Sequence, residues 1–195
     1  RILKQACIAK EKELQKISKL GELFDVILAG GKVDFFEVQI IVEDILEEVR
    51  NGETLRLLRE DIDYPARYVA CKGINFARVV ARVIFQDAQL RVASMEIIAA
   101  ALFLDIGMIK IQSSGLVEPE RVHGKMSRAY ESHCFIGAEL LRVSFPQMPL
   151  LAEAALSHHE NIDGSGFPSG FKGEEISPVI RFLAVCERYI ARCMS

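Results

Sequence analysis

The sequence has no CxxC pair, no long apolar run, no block of like charge, no internal repeat and almost no two-residue alternation of polarity. Each absence excludes something. Five cysteines, Cys7, Cys71, Cys134, Cys186 and Cys193, are an odd number at irregular spacings, so a disulfide framework is not expected. They read as buried reduced thiols of a cytoplasmic protein; Cys186 and Cys193, seven apart, share one face of an expected helix and fit packing. The longest uninterrupted apolar run, Ile97 to Leu104, is too short to span a bilayer, and no signal peptide is visible, so no membrane segment is expected. Net charge is −3, with acids and bases interspersed. That leaves no polybasic surface for a membrane and no footprint for DNA.

What is present is a helical chain. It has 195 residues, 50% hydrophobic and 26% charged, enough for one domain with its own core, with or without a short appendage. It begins at Arg1, not Met, and is expected to be a fragment of something longer. Helical periodicity dominates, so the fold class expected is all-α. Residues 1–20 read as a helix with Leu3, Cys7, Leu14 and Ile17 on one stripe, interrupted by Lys10, and Gly21 is expected to end or kink it. Two readings of this arm stay open: a coiled-coil linker from an upstream domain, or a helix packed on its own core. Helices at 21–62 and a core at 63–195 follow. Asp34 is expected to cap a helix through about Val49, with "RNGE" breaking it. Another starts at Pro65. Ser94 is expected to cap the segment "MEIIAAALFLD", which is apolar all round and should lie at the centre. Further helices are expected at about 127–144 and 149–160. Then comes the loop "NIDGSGFPSGFKGEEI", and a last helix opened by Ser177 and Pro178.

The histidines are His123, His133, His158 and His159. Imidazoles suit zinc, iron, manganese or nickel, and carboxylates suit harder ions. Taken alone, "HHE" would equally fit exposed or capping histidines. A metal site would need His133 and a carboxylate from another helix to converge on His158 or His159. Asp105 is the candidate, because a charge directly after the apolar run Ile97 to Leu104 is costly unless paired or ligating.

"HHENIDGSGFP", His158 to Pro168, resembles the HHE…DG.GYP signature of the HD-GYP family, the helical bundle of bacterial cyclic-di-GMP phosphodiesterases. "LDIG" at 104–107 resembles the family's HDIGK, and "SHCFIGAELL" its segment around His133. "EEISPVIRFLAVCERY" resembles the helix that ends in a metal-binding Asp. The resemblance covers roughly residues 22–195 and implies an HD-domain fold, truncated at its C-terminal end. It also implies metal ligands Asp105, His133, His158, His159 and Glu187. The ligand-binding loop it implies is Asp163, Gly164, Gly166, Phe167 and Pro168. HDOD domains also lack the metal site, but the GFP-type loop argues against that relation.

The departures from the signature bear on function. Lys72 stands where the family has a metal-binding His. Leu104 replaces the His of the HD pair, Met108 the lysine of HDIGK, Glu187 the final Asp, and Phe167 the Tyr of GYP. Catalysis in the family is implied to use a hydroxide held between two metals. Here the resemblance implies at most one divalent ion (Fe, Mn, Zn or Ni), or none, with no intact catalytic set. The expectation is a catalytically impaired signalling module downstream of a sensor or receiver domain, with signalling proteins as partners and a homodimer through the N-terminal helix as an open alternative. Two others compete: a low-activity mononuclear cyclic-dinucleotide phosphodiesterase, and a cyclic-dinucleotide receptor that does not hydrolyse.

Overall fold

The computed structural model of the chain describes residues 2–58, 64–111, 121–122 and 125–194. Seven helices are found among them: α1 (Ile2–Leu28), α2 (Phe35–Arg50), α3 (Pro65–Gln86), α4 (Ser94–Phe103), α5 (Arg128–Ser144), α6 (Pro149–Ser157) and α7 (Pro178–Met194). Short 3-10 turns precede and follow α4, at Leu90–Ala93 and Ile106–Lys110, and a third precedes α7 at Gly173–Glu175. The fold is all-α, with one addition that the missing alternation did not announce. Arg121–Val122 (β1) and Lys125–Met126 (β2) form a two-residue antiparallel pair.

α4 is the centre because, beyond its first turn, nothing on its surface is suited to water. Every residue from Ile97 to Leu104 is at most 2% exposed. Burying an Ile or Leu completely stabilises by about 1.5–3 kcal/mol, so this segment contributes more than any other of its length. It packs against α2, α3 and α6. Phe103 sits between Phe24 and Phe145, at centroid distances of 5.9 and 5.3 Å. The stretch Leu90–Lys110 is, by length and composition, apolar enough to cross a membrane, contrary to the reading from the run Ile97–Leu104 alone. Two thirds of its most apolar window (67%) is buried inside the fold, where the run serves as core.

The start signals mostly hold. Asp34 caps α2 by accepting from the Phe36 amide at 3.0 Å, and Ser127 caps α5 by accepting from the Tyr130 amide at 3.2 Å. Pro65 and Pro178 open α3 and α7. Four expectations need correction. Gly21 does not end α1, which runs through to Leu28. Leu20, Leu23, Phe24 and Ile27 are buried on both sides of it, and this burial outweighs the roughly 1 kcal/mol a helical glycine costs. Leu14 is 45% exposed, because Glu13 and Lys16 turn inward to meet Arg78 and Glu48. Ser94 is the first residue of α4, not its cap; Ala93 holds the cap position. α6 also ends earlier than expected, at Ser157, so that His158 occupies its C-cap.

Candidate metal centre

Four elements bring the site together. Asp105 follows α4 at the start of the 106–110 turn and is 7% exposed. His133 lies on the second turn of α5. His158 and His159 leave the end of α6. α5 can approach Asp105 because Gly107 has no side chain: a Cβ there would lie 2.0 Å from the His133 carbonyl oxygen. The ligand atoms of Asp105, His133, His158 and His159 all lie within 4.8 Å of one another.

Hydrogen bonds fix what those atoms offer. His133 Nδ1 bonds the Tyr130 carbonyl. His158 Nδ1 lies 3.1 and 3.0 Å from the carbonyls of Ala154 and Ala155. A carbonyl can only accept, so each Nδ1 carries a proton, which leaves Nε2 as the nitrogen free to ligate in the neutral ring. The two Nε2 atoms face each other at 3.3 Å. Asp105 Oδ1 lies 3.5 Å from His158 Nε2 and 3.7 Å from His133 Nε2. It is buried and has no hydrogen-bond partner. Burial, with His158 next to it, pulls the His133 pKa down to about 4, so the His133 ring is neutral near pH 7. Two imidazole nitrogens and a carboxylate oxygen thus converge on one point. Zinc–nitrogen bonds of about 2.0–2.1 Å in tetrahedral array would set ligands roughly 3.3 Å apart, close to the spacing seen. The residues fit a divalent cation.

The other carboxylate oxygen is engaged. Asp105 Oδ2 is 2.8 Å from Lys72 Nζ on α3, and Glu187 Oε1 on α7 is 3.3 Å from the same ammonium. Burial pushes the Lys72 pKa down, but Asp105 and then Glu187 outweigh it and hold it above the ordinary lysine value. Burial likewise pushes Asp105 up, and the Lys72 ammonium outweighs that, keeping the carboxyl well below its usual range. Glu187 therefore meets Lys72 and is not in the four-residue group. Leu104 and Met108 are buried in the apolar core, at 2% and 4% exposure.

Beyond His159 the loop is organised by a residue the sequence reading did not single out. Glu160 is 3% exposed. Its Oε1 accepts from the amides of Ser169 (2.6 Å) and Gly170 (3.2 Å), and its Oε2 from Phe171 (3.1 Å). Gly166 presses on this turn: a Cβ would lie 2.3–2.5 Å from backbone atoms of His159, Glu160 and Asn161. Phe167 lies against the His159 ring, centroids 4.6 Å apart and planes tilted 33°, and a cis peptide joins it to Pro168. Asp163 is exposed and accepts from the amide and hydroxyl of Ser165, which lowers its pKa; Gly164 has φ of 80°. Both belong to the turn rather than to the four-residue group. A second overlooked residue is Tyr130. Its hydroxyl is 3.4 Å from His159 Nε2, and its ring packs on His133 and Phe167. Its signal was position: three before His133, it lies on the same helical face. His123 lies outside the described residues.

Comparison with known proteins gives a consistent picture. The pattern describing the HD domain matches residues 41–194. The cyclic di-GMP phosphodiesterase response regulator RpfG of Xanthomonas campestris is 33% identical over 151 residues, covering 74% of this chain and 38% of that protein. The 3'3'-cGAMP-specific phosphodiesterase 3 of Vibrio cholerae is 33% identical over 92 residues, 47% of this chain and 20% of that protein. A cyclic di-GMP phosphodiesterase of Thermotoga maritima is 38% identical over 97 residues, 49% of this chain and 26% of that protein. The chain thus spans well under half the length of each.

Proposed function

The chain belongs to the HD domain family as an HD-GYP-like member, and from that membership we propose that it is a cyclic-dinucleotide signalling module with impaired hydrolysis. The observation that carries this is the asymmetry around Asp105. One carboxylate oxygen faces two imidazole Nε2 atoms, a ligand set for a cation, and the other is held by a lysine. A divalent ion bound at Asp105, His133 and His158, with His159 close by, would polarise a phosphate oxygen and acidify a bound water. The chain's own residues supply little beyond that. Leu104 and Met108 offer neither a ligand nor a charge. Lys72 neutralises Asp105 and Glu187 rather than generating a nucleophile. Asp163, Gly164, Gly166, Phe167 and Pro168 form the loop against which a nucleotide would rest, with the stacked Phe167 and His159 as its aromatic face.

A low-activity phosphodiesterase is the second reading, favoured by the intact four-residue group, which is compatible with turnover. A non-hydrolysing receptor is the third. The response-regulator relative supports an upstream sensor or receiver domain in the cytoplasm, with residues 1–20 as its connecting helix and a route to a homodimer.

The deciding experiment measures binding and hydrolysis of cyclic di-GMP and 3'3'-cGAMP by the manganese-loaded protein, beside an intact family member. Binding with turnover lower by at least 10²–10³, the usual loss for one electrostatic group in a catalytic site, is expected. Turnover equal to the intact enzyme would overturn the impaired reading; reduced but measurable turnover would favour the low-activity phosphodiesterase, and binding with no turnover the receptor.

A further inference from the structure

Asp105 and Glu187 come from different helical segments, yet their Oδ2 and Oε1 atoms converge on one point, and at that point sits the Lys72 ammonium, 2.8 and 3.3 Å away. Two carboxylates aimed at a common point form a cation position. Both are nearly buried, with side chains 8% exposed, so water cannot satisfy them and a positive charge is required there. The adjoining position, at Asp105 Oδ1, is built differently, from two imidazole nitrogens and an oxygen without a hydrogen bond, and among the described residues no lysine or arginine enters it. Asp105 is therefore shared between two neighbouring cation positions, one filled from within the chain and one not.

We propose that Lys72 is a tethered cation that closes the Asp105–Glu187 position to metal, so that the centre takes one divalent ion only, at Asp105, His133 and His158. This rests on the metal-binding reading given above. The lysine determines the stoichiometry. It satisfies both carboxylates with a single charge that cannot dissociate, and an incoming divalent ion would have to displace a buried ammonium and leave it unpaired. With the side chain shortened to an imidazole, the same two carboxylates gain a nitrogen donor and lose the competing charge. The position then becomes a ligand set for a second ion.

The test counts ions. Wild-type protein and the Lys72→His variant are titrated with Mn²⁺ by calorimetry, and bound metal is measured by elemental analysis after gel filtration. One ion per wild-type chain and two per K72H chain are expected. The Lys72→Met variant, which removes the charge and adds no ligand, serves where K72H does not fold, and should admit a second, weaker ion. A readout independent of any variant is the electron paramagnetic resonance spectrum of the Mn²⁺-loaded wild type, expected to be that of isolated ions. Two ions on the wild type, or an exchange-coupled pair in its spectrum, would overturn the proposal and leave metal binding standing. A single ion on all three proteins would overturn it as well. No ion on the wild type would overturn the metal-binding reading itself.

Discussion

Asp105 carries two duties through two oxygens, and its replacement separates them. Asp105→Asn keeps the shape but removes the charge that faces Lys72. The ammonium, with a side chain only 17% exposed, then relies on Glu187 alone. Breaking a buried pair by removing one partner costs about 3–5 kcal/mol, and the remaining Glu187 places the expected loss at the lower end. Urea denaturation measures it. Metal binding should fall with it, whereas His158→Ala should abolish metal binding while leaving the Lys72 pair intact. Equal stability of wild type and D105N would sink the ion-pair account. The residues of this site were unequally visible in the sequence. Asp105 showed itself as a charge following an apolar run, and Lys72 through the resemblance, at the position where the family has a metal-binding His. Tyr130 and Glu160 were overlooked: Tyr130 offered only its position three before His133, and Glu160 no spacing of its own. Only the folded chain shows that Glu160 collects three loop amides.

At the scale of elements, α1, α2 and α3 are clasped by charge as well as by apolar contact. Arg78, 2% exposed on α3, donates twice to Glu48 on α2 at 2.8 Å and once to Glu13 on α1 at 2.6 Å. Lys16 of α1 joins Glu48 as well. Burial pushes the Glu48 pKa up, but Arg78 and then Lys16 outweigh it, and the carboxyl sits below its ordinary value of 4.5. The sign follows from linkage: the clasp stabilises the fold above the unfolded carboxyl pKa and loses this contribution as pH falls through the lower folded value. Arg78→Met should therefore cost about 3–5 kcal/mol at pH 7, with the gap to wild type narrowing below about pH 4. Denaturant titrations at the two pH values check this, and a gap that widens in acid would refute it. The loop after α6 gives a second case. Gly166→Ala drives a methyl group into backbone that cannot yield, with an expected loss of roughly 1–3 kcal/mol and faster proteolysis within 161–172. The helices themselves were legible where a side chain caps the end or a proline starts it, as at Asp34, Pro65 and Ser177–Pro178. They were misread where tertiary contact decides. Gly21 is carried by buried neighbours, and the stripe of α1 was broken by an inward ion pair that periodicity cannot register.

For the whole molecule, the metal centre acts as a staple. Its ligands come from the turn after α4, from α5 and from the end of α6, so an ion bound there joins segments spanning Asp105 to His159 and has no equivalent site in the unfolded chain. A ligand that binds only the folded state stabilises it by about 2.7 kcal/mol when present at 100 times its dissociation constant. For a chain of this size each kcal/mol moves the melting temperature by about 2–4 °C. Manganese or zinc at that excess should therefore raise the melting temperature by about 5–11 °C, and a chelator should return it to the metal-free value. Replacing His133 and His158 together by alanine removes the site. That double variant should melt at the same temperature with metal and with chelator, in differential scanning calorimetry at pH 7. A wild-type melting temperature indifferent to metal would mean that the convergence of Asp105, His133 and His158 serves packing alone.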